Sequence, residues 1–164
     1  MRIGKWGAAA LGGLLVGLIG GVMRRRLTRF EIAEDSMAPV LRAGDFVLTA
    51  RSRAIPGRGD LVVFPHPHRS DFDLVKRVVG LPGERVDIAN AQVHIDGSVL
   101  AEPWADGPTL PDGSWELGDE ELFLLGDNRA ASIDDSRHLG PFPLEGIPWR
   151  VVFRYWPLYR VGRL

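Results

Sequence analysis

The 164-residue chain contains no cysteine. That excludes a disulfide framework, a cysteine nucleophile and thiolate metal sites. It has almost no net charge: 20 Lys and Arg against 21 Asp and Glu leave −1, which argues against a nucleic-acid footprint. No internal repeat and no low-complexity tract is present. His66 and His68 stand as His-x-His in Pro65-His66-Pro67-His68, but with no third ligand nearby this reads as a solvated loop rather than a metal site. What the chain holds in abundance is turn formers, 20 Gly and 12 Pro, the mark of a strand-dominated chain rather than a helical bundle. Its length suits one compact domain with a terminal appendage.

That appendage is the one long uncharged stretch. Trp6 to Met23 carries no charge, with Arg2 and Lys5 before it and Arg24, Arg25 and Arg26 after it. As a helix it would span roughly 27 Å, close to a hydrocarbon core of about 30 Å. The run leads straight into three arginines without an Ala-x-Ala-like cleavage site, so it reads as a retained anchor over a cleaved signal peptide or a buried helix. The chain thus divides into a basic tail (1–5), a transmembrane anchor (6–23) and a β-domain (24–164). The basic residues on the two sides nearly balance, and charge alone does not orient the anchor.

Beyond it, short apolar and β-branched runs recur between Gly, Pro and Asp: Phe46–Thr49, Leu61–Phe64, Leu74–Val79, Val93–Ile95, Leu122–Leu125 and Arg150–Tyr155. They are too short for helices and are separated by turn signals such as Leu81-Pro82-Gly83 and Asp96-Gly97. The expectation is an all-β domain of folded-over or barrel-like antiparallel sheets. Glu102–Gly118, rich in Pro, Gly and Asp, reads as a surface loop.

Three places could carry chemistry. Ser36, in Glu34-Asp35-Ser36-Met37-Ala38-Pro39, would by itself be a turn serine. Lys76 lies 40 residues further on, in Asp73-Leu74-Val75-Lys76-Arg77-Val78-Val79. In a strand Leu74, Lys76 and Val78 share one face, so the lysine can point into apolar surroundings or snorkel out from an edge. An ordinary lysine pKa of about 10.4 leaves only about one molecule in a thousand neutral near pH 7.5. Desolvation lowers that pKa, and a neutral amine can take the proton of a serine hydroxyl, the work histidine does in a catalytic triad. The third place is Gly126-Asp127-Asn128-Arg129-Ala130-Ala131-Ser132, continuing through Asp134-Asp135-Ser136-Arg137. It reads either as a polar turn or as a scaffold that holds a nearby base.

Taken in order, Ser36-Met37-x-Pro39-x-Leu41, Gly44-Asp45, Lys76-Arg77-Val78-Val79-Gly80-Leu81-Pro82-Gly83-Glu84 and Gly126-Asp127-Asn128-Arg129 with Asp135-Ser136-Arg137 resemble type I signal peptidase. The resemblance covers roughly Phe30 to Pro157, behind an anchor such as that family usually has. It implies an all-β fold and a membrane-bound serine endopeptidase that cuts exported preproteins after small residues. Ser36 would be the nucleophile and Lys76 the general base. Ser132 would bond and orient the lysine, and Asp135 and Arg137 would form a supporting ion pair. Ile32, Met37, Leu41, Leu74 and Val75 match positions that line pockets for small side chains, and Asp73–Val75 would pair with the extended substrate. No cofactor and no metal is implied; the partners are preproteins and membrane lipid, with the catalytic domain on the extracytoplasmic face.

The chain departs from the pattern in three respects. Glu34 stands two residues before the nucleophile, where many members carry Ser or Gly; an ionised carboxylate cannot donate to an oxyanion. Ser132-Ile133-Asp134-Asp135-Ser136 is one residue longer than the usual Ser-x-Asp-Ser spacing. The stretch from Gly83 to Gly126 is short, so the large second domain of some members is absent. Two other readings stand beside the peptidase: an inert membrane-tethered β-domain that binds peptides, and an autocleaving Ser–Lys repressor.

Overall fold

The computed structural model describes residues 27–51 and 54–164. The basic tail, the anchor and the start of the β-domain expected from the sequence lie outside the described residues. Within them, no helix is long and apolar enough to cross a membrane.

The described residues form twelve strands: β1 Leu27–Glu31, β2 Phe46–Arg51, β3 Leu61–His66, β4 Arg69–Gly80, β5 Arg85–Ala89, β6 Gln92–Ile95, β7 Ser98–Val99, β8 Gly113–Glu116, β9 Glu121–Leu125, β10 Phe142–Pro143, β11 Trp149–Trp156 and β12 Gly162–Arg163. One sheet of eight runs β1-β2-β11-β3-β4-β9-β10, with β12 on β11; the second runs β7-β6-β5-β8. Every pairing between these strands is antiparallel. The mostly β architecture agrees with the strand reading.

Alternation along β4 divides the core. Leu74 and Val78 join Val62, Phe64, Leu122 and Leu124 in one buried cluster. The turn after β1 brings Ile32, Met37 and Leu41 together with Val47, Leu61 and Val63 in another. A third cluster holds the smaller sheet to the larger, with Val86, Ile88 and Val93 against Val79, Phe123 and Leu125. Gly80 sits at that junction: an added Cβ would meet Val86, Leu117 and Phe123 side chains at 2.6–2.8 Å. Burying these groups, at roughly 25 cal/mol per Å² of apolar surface, makes the two sheets one packed body.

Two expectations are corrected. Glu102–Gly118 is not simply a surface loop. Gly113–Glu116 pairs as β8 with Arg85–Ile88, Thr109 is buried, and Glu102 forms an ion pair with the buried Arg129 at 2.5 Å. Asp106 also bridges Asn128, so the segment closes over the polar turn rather than hanging from it. His66 is not on a solvated loop either. It is buried at the end of β3, where its Nδ1 accepts the His68 backbone N–H at 3.0 Å. Among the described residues no group of three or more metal-ligating side chains is assembled.

Candidate active site

Ser36 lies in the turn that follows β1, and Lys76 lies on β4 opposite Val62 of β3. Because Lys76 occupies the same strand face as Leu74 and Val78, its stem runs along the apolar cluster and the residue is only 2% exposed. Its Nζ reaches Ser36 Oγ at 3.2 Å. In the ammonium form the amine donates this bond; in the neutral form the hydroxyl can donate instead. Among the described residues the amine makes no other hydrogen bond.

Burial is the largest influence on Lys76 and pushes its pKa below the ordinary lysine range. The carboxylates of Asp135, Asp134 and Glu34 pull it back up, Arg137 pushes it down again, and the net direction remains downward. None of those carboxylates forms an ion pair with the amine. Asp127 is forked onto Arg77, with Oδ1 to Nε at 2.7 Å and Oδ2 to Nη2 at 2.5 Å. Asp135 pairs with Arg137 at 2.8 Å. Asp134 Oδ2 faces His66 Nε2 at 3.7 Å.

The polar turn stands behind Ser36. Asn128 N–H donates to the Ser36 carbonyl at 3.1 Å, and Asn128 Nδ2 to the Asp35 carbonyl at 3.2 Å. Gly126 permits the approach: a Cβ there would lie 2.3 Å from the Ser132 hydroxyl and 2.7 Å from the Ser36 carbonyl. Ser132 departs from what the resemblance implies. Its hydroxyl donates to Asp135 Oδ2 at 2.7 Å and makes no bond to Lys76. With the stretch from Ser132 to Ser136 one residue longer than the usual spacing, Asp135 folds back under Ser132, where a carboxylate is a stronger acceptor than an amine is a partner. Burial raises Asp135, but Arg137, the Ser132 hydroxyl and the Gly126 N–H outweigh it and hold the carboxyl below its ordinary range. Asp135 also caps the short helix Ser136–Leu139 by accepting the Arg137 N–H.

In front of Ser36 lies an open cleft of about 230 Å³ between the β1 end and β4. Ile32, Met37, Asp73, Leu74 and Val75 line it. Leu41 does not: it is fully buried behind the cleft in the same cluster as Ile32 and Met37. Phe30, Val63 and Phe72 also line it and were not singled out from the sequence, although each is an apolar residue on a strand flanking a residue that was. Both banks offer free strand edges. Among the described residues β1 pairs only with β2, and Asp73–Val75 pair only with β3.

A serine and a buried lysine in contact at the head of an open cleft, on antiparallel sheets, define a serine hydrolase for extended peptides as the class to test. The family described as "Signal peptidase, peptidase S26" matches residues 5–156. The chain is 35% identical over 147 residues to signal peptidase I of Leptolyngbya laminosa, covering 81% of this chain and 70% of that one. It is 32% identical over 148 residues to signal peptidase I of Bacillus caldolyticus, covering 79% and 80%. Its structure is similar to that of a signal peptidase I from Enterococcus faecalis V583, at 28% identity and a TM-score of 0.51, covering 58% of this chain and 96% of that one. The chain belongs to the signal peptidase family, peptidase S26, and is a serine peptidase.

Proposed function

We propose that the chain is a membrane-anchored endopeptidase that removes signal peptides from exported preproteins, cutting after small residues, with Ser36 as nucleophile and Lys76 as general base. The observation that carries this reading is the 3.2 Å contact between Lys76 Nζ and Ser36 Oγ, made by a buried lysine whose pKa is lowered. An extended substrate adds as a strand between the free edges of β1 and β4. Its small side chains point into the apolar cleft between Ile32, Met37, Leu74 and Val75, which leaves little room for larger ones. Neutral Lys76 takes the hydroxyl proton as Ser36 Oγ bonds to the scissile carbonyl carbon. The same proton passes to the leaving amine as the C–N bond breaks. Water then attacks the acyl-serine, giving one proton to Lys76, which passes it to Ser36 Oγ as the ester C–O bond breaks and the carboxyl product leaves.

The oxyanion needs donors. Ser36 N–H has no hydrogen-bond partner among the described residues and is available for this; the Glu34 carboxylate is not a donor while ionised. The Ser132–Asp135–Arg137 group acts through the turn, by holding Asp135 away from the amine. Residues 6–23 supply the anchor, with the β-domain on the extracytoplasmic face. Trp156, Leu158 and Tyr159 are exposed rather than packed into the core, and suit contact with the lipid interface, where aromatic rings with polar edges are favoured.

The test is cleavage of a preprotein by purified full-length variants in detergent. Ser36→Ala and Lys76→Ala should each abolish turnover without unfolding the chain, and the double variant should be hardly worse than either, because the two groups act as a unit. Substantial turnover by Ser36→Ala would overturn the assignment.

A further inference from the structure

Proton transfer between Ser36 and Lys76 accounts for one side of the turn that carries the serine. The other side is occupied by a polar cluster that this chemistry leaves unused. Its hub is Asp45, a carboxylate only 2% exposed. Asp45 closes the base of the turn: its side chain accepts the Arg42 N–H at 3.0 Å and its carbonyl accepts the Ile32 N–H at 2.9 Å, while Gly44 N–H returns to the Ile32 carbonyl at 2.8 Å. Ser36 rides on the stretch between those closures.

Two arginines from the C-terminal part of the chain grip this stretch. Arg160, at the end of the short 3-10 helix Leu158–Arg160, places Nη1 at 3.0 Å from Asp45 Oδ2 and 3.1 Å from Oδ1. Its Nη2 donates to the carbonyls of Pro39 at 2.9 Å and Val40 at 3.1 Å. Arg154 of β11 donates from Nη1 to the same Val40 carbonyl, reaches Asp45 at 3.4 Å, and fixes the Arg160 backbone by donating from Nε to its carbonyl at 2.6 Å. A guanidinium, planar and with five donors in a fixed fork, suits a carboxylate and two carbonyls held at set positions; an ammonium is a point charge on a flexible stem.

We propose that Arg160 is a positioning residue for Ser36, acting through the Pro39 and Val40 carbonyls and Asp45 to keep the nucleophile turn in the register that meets Lys76. This rests on Ser36 being the nucleophile. The turn is then held from two sides, by Asn128 at the Ser36 and Asp35 carbonyls and by Arg160 at Pro39 and Val40. Displacing a reacting group by ~1 Å can cost about a hundredfold in rate, so loss of one of the two holds should be felt in the chemical step. Arg160 is not among the residues that line the cleft, so substrate affinity should change little.

The experiment compares wild type, Arg160→Ala, Arg160→Lys and Arg163→Ala as full-length proteins in detergent, measuring kcat, KM and Tm on one preprotein. Arg163 carries the same charge on neighbouring β12 without touching the turn, so its variant controls for charge. The expected result is a fall in kcat of tenfold or more for Arg160→Ala, with KM within twofold and a folded protein at the assay temperature. Arg160→Lys should recover only part of kcat, and Arg163→Ala should match wild type. Should Arg160→Ala not fold, Arg160→Gln carries the same test. The inference is overturned if Arg160→Ala keeps kcat within twofold, if its loss only tracks the unfolded fraction, if KM alone changes, or if lysine restores the full rate. Wild-type activity in Ser36→Ala would instead overturn the nucleophile assignment, which separates the two failures.

Discussion

Lys76 and Arg77 are neighbours on one strand, both buried and both cationic, yet the fold treats them in opposite ways. Arg77 is satisfied on all sides. Two of its nitrogens fork onto Asp127, a third donates to the Gly59 carbonyl at 2.7 Å, and the guanidinium lies 4.9 Å from the centre of the Trp104 ring. Lys76 faces the other way, into apolar side chains, and among the described residues its amine meets a single hydroxyl. Three carboxylates are near enough to favour its charge, but none closes an ion pair with it. The strand's two-residue period alone puts the neighbours on opposite faces. What surrounds each face then decides that one cation is a structural rivet and the other a group held ready to lose its proton.

The comparison breaks most readily at the arginine. Removing one partner of a buried pair leaves an uncompensated charge and typically costs ~3–5 kcal/mol, whereas replacing both by apolar groups is often nearly neutral. Asp127→Ala should therefore destabilise the fold by an amount in that range, seen as a lower urea midpoint. Arg77→Met with Asp127→Leu should recover most of the loss. If Asp127→Ala lies within about 1 kcal/mol of wild type, the pair is not the rivet described.

The second test reads the lysine through the reaction. If Lys76 is the base, kcat/KM rises with pH as the amine loses its proton, and the rising limb lies below the ordinary lysine value of about 10.4, in the direction of the burial shift. Asp134→Asn removes one of the charges that oppose that shift, so the limb should move further toward acid. A rate that is flat from pH 6 to 10, or an Asp134→Asn limb displaced toward alkali, would contradict this account of the amine.

How much of this was legible beforehand follows the same physics. The runs at Phe46, Leu61, Leu74, Val93, Leu122 and Arg150 were readable as strands because they are apolar or β-branched and bounded by turn signals, and each lies within an observed strand. Strand β8, Gly-Ser-Trp-Glu, was not: half its residues are exposed, and what makes it a strand is the ladder offered by Arg85–Ile88. The facing of Lys76 could be read from alternation with Leu74 and Val78, and its nearness to Ser36 came with the resemblance. His66 could not be placed, because a Pro-His-Pro-His stretch looks like a loop until β4 turns back to cover it. Ser132 misled for a related reason. One added residue shifts which acceptor a hydroxyl can reach, and spacing shows the insertion without showing where the slack goes. The grip of Arg160 on the nucleophile turn joins residues more than a hundred positions apart, and no local pattern announces it.

The smallest effect is the most direct measure of how the lysine is held. A lysine whose folded pKa lies below its unfolded value binds fewer protons in the native state than in the unfolded one, over the window between the two values. Stability therefore rises with pH through that window. Below the lowered folded pKa both states carry the charge and the native state bears the full desolvation cost; above about 10.4 neither is charged and the cost is gone. Lys76→Met keeps most of the stem, which packs beside Leu74 and Val78, and removes the charge. The variant should be inactive and more stable than wild type at pH 6, with an advantage that shrinks steadily as the pH is raised toward 10. Each unit of pKa depression corresponds to about 1.4 kcal/mol, so the low-pH advantage measured by urea unfolding reports the size of the shift. A Lys76→Met protein less stable than wild type at pH 6, or one whose advantage grows with pH, would mean that the amine is stabilised as a cation in the fold, and that Lys76 is held as Arg77 is.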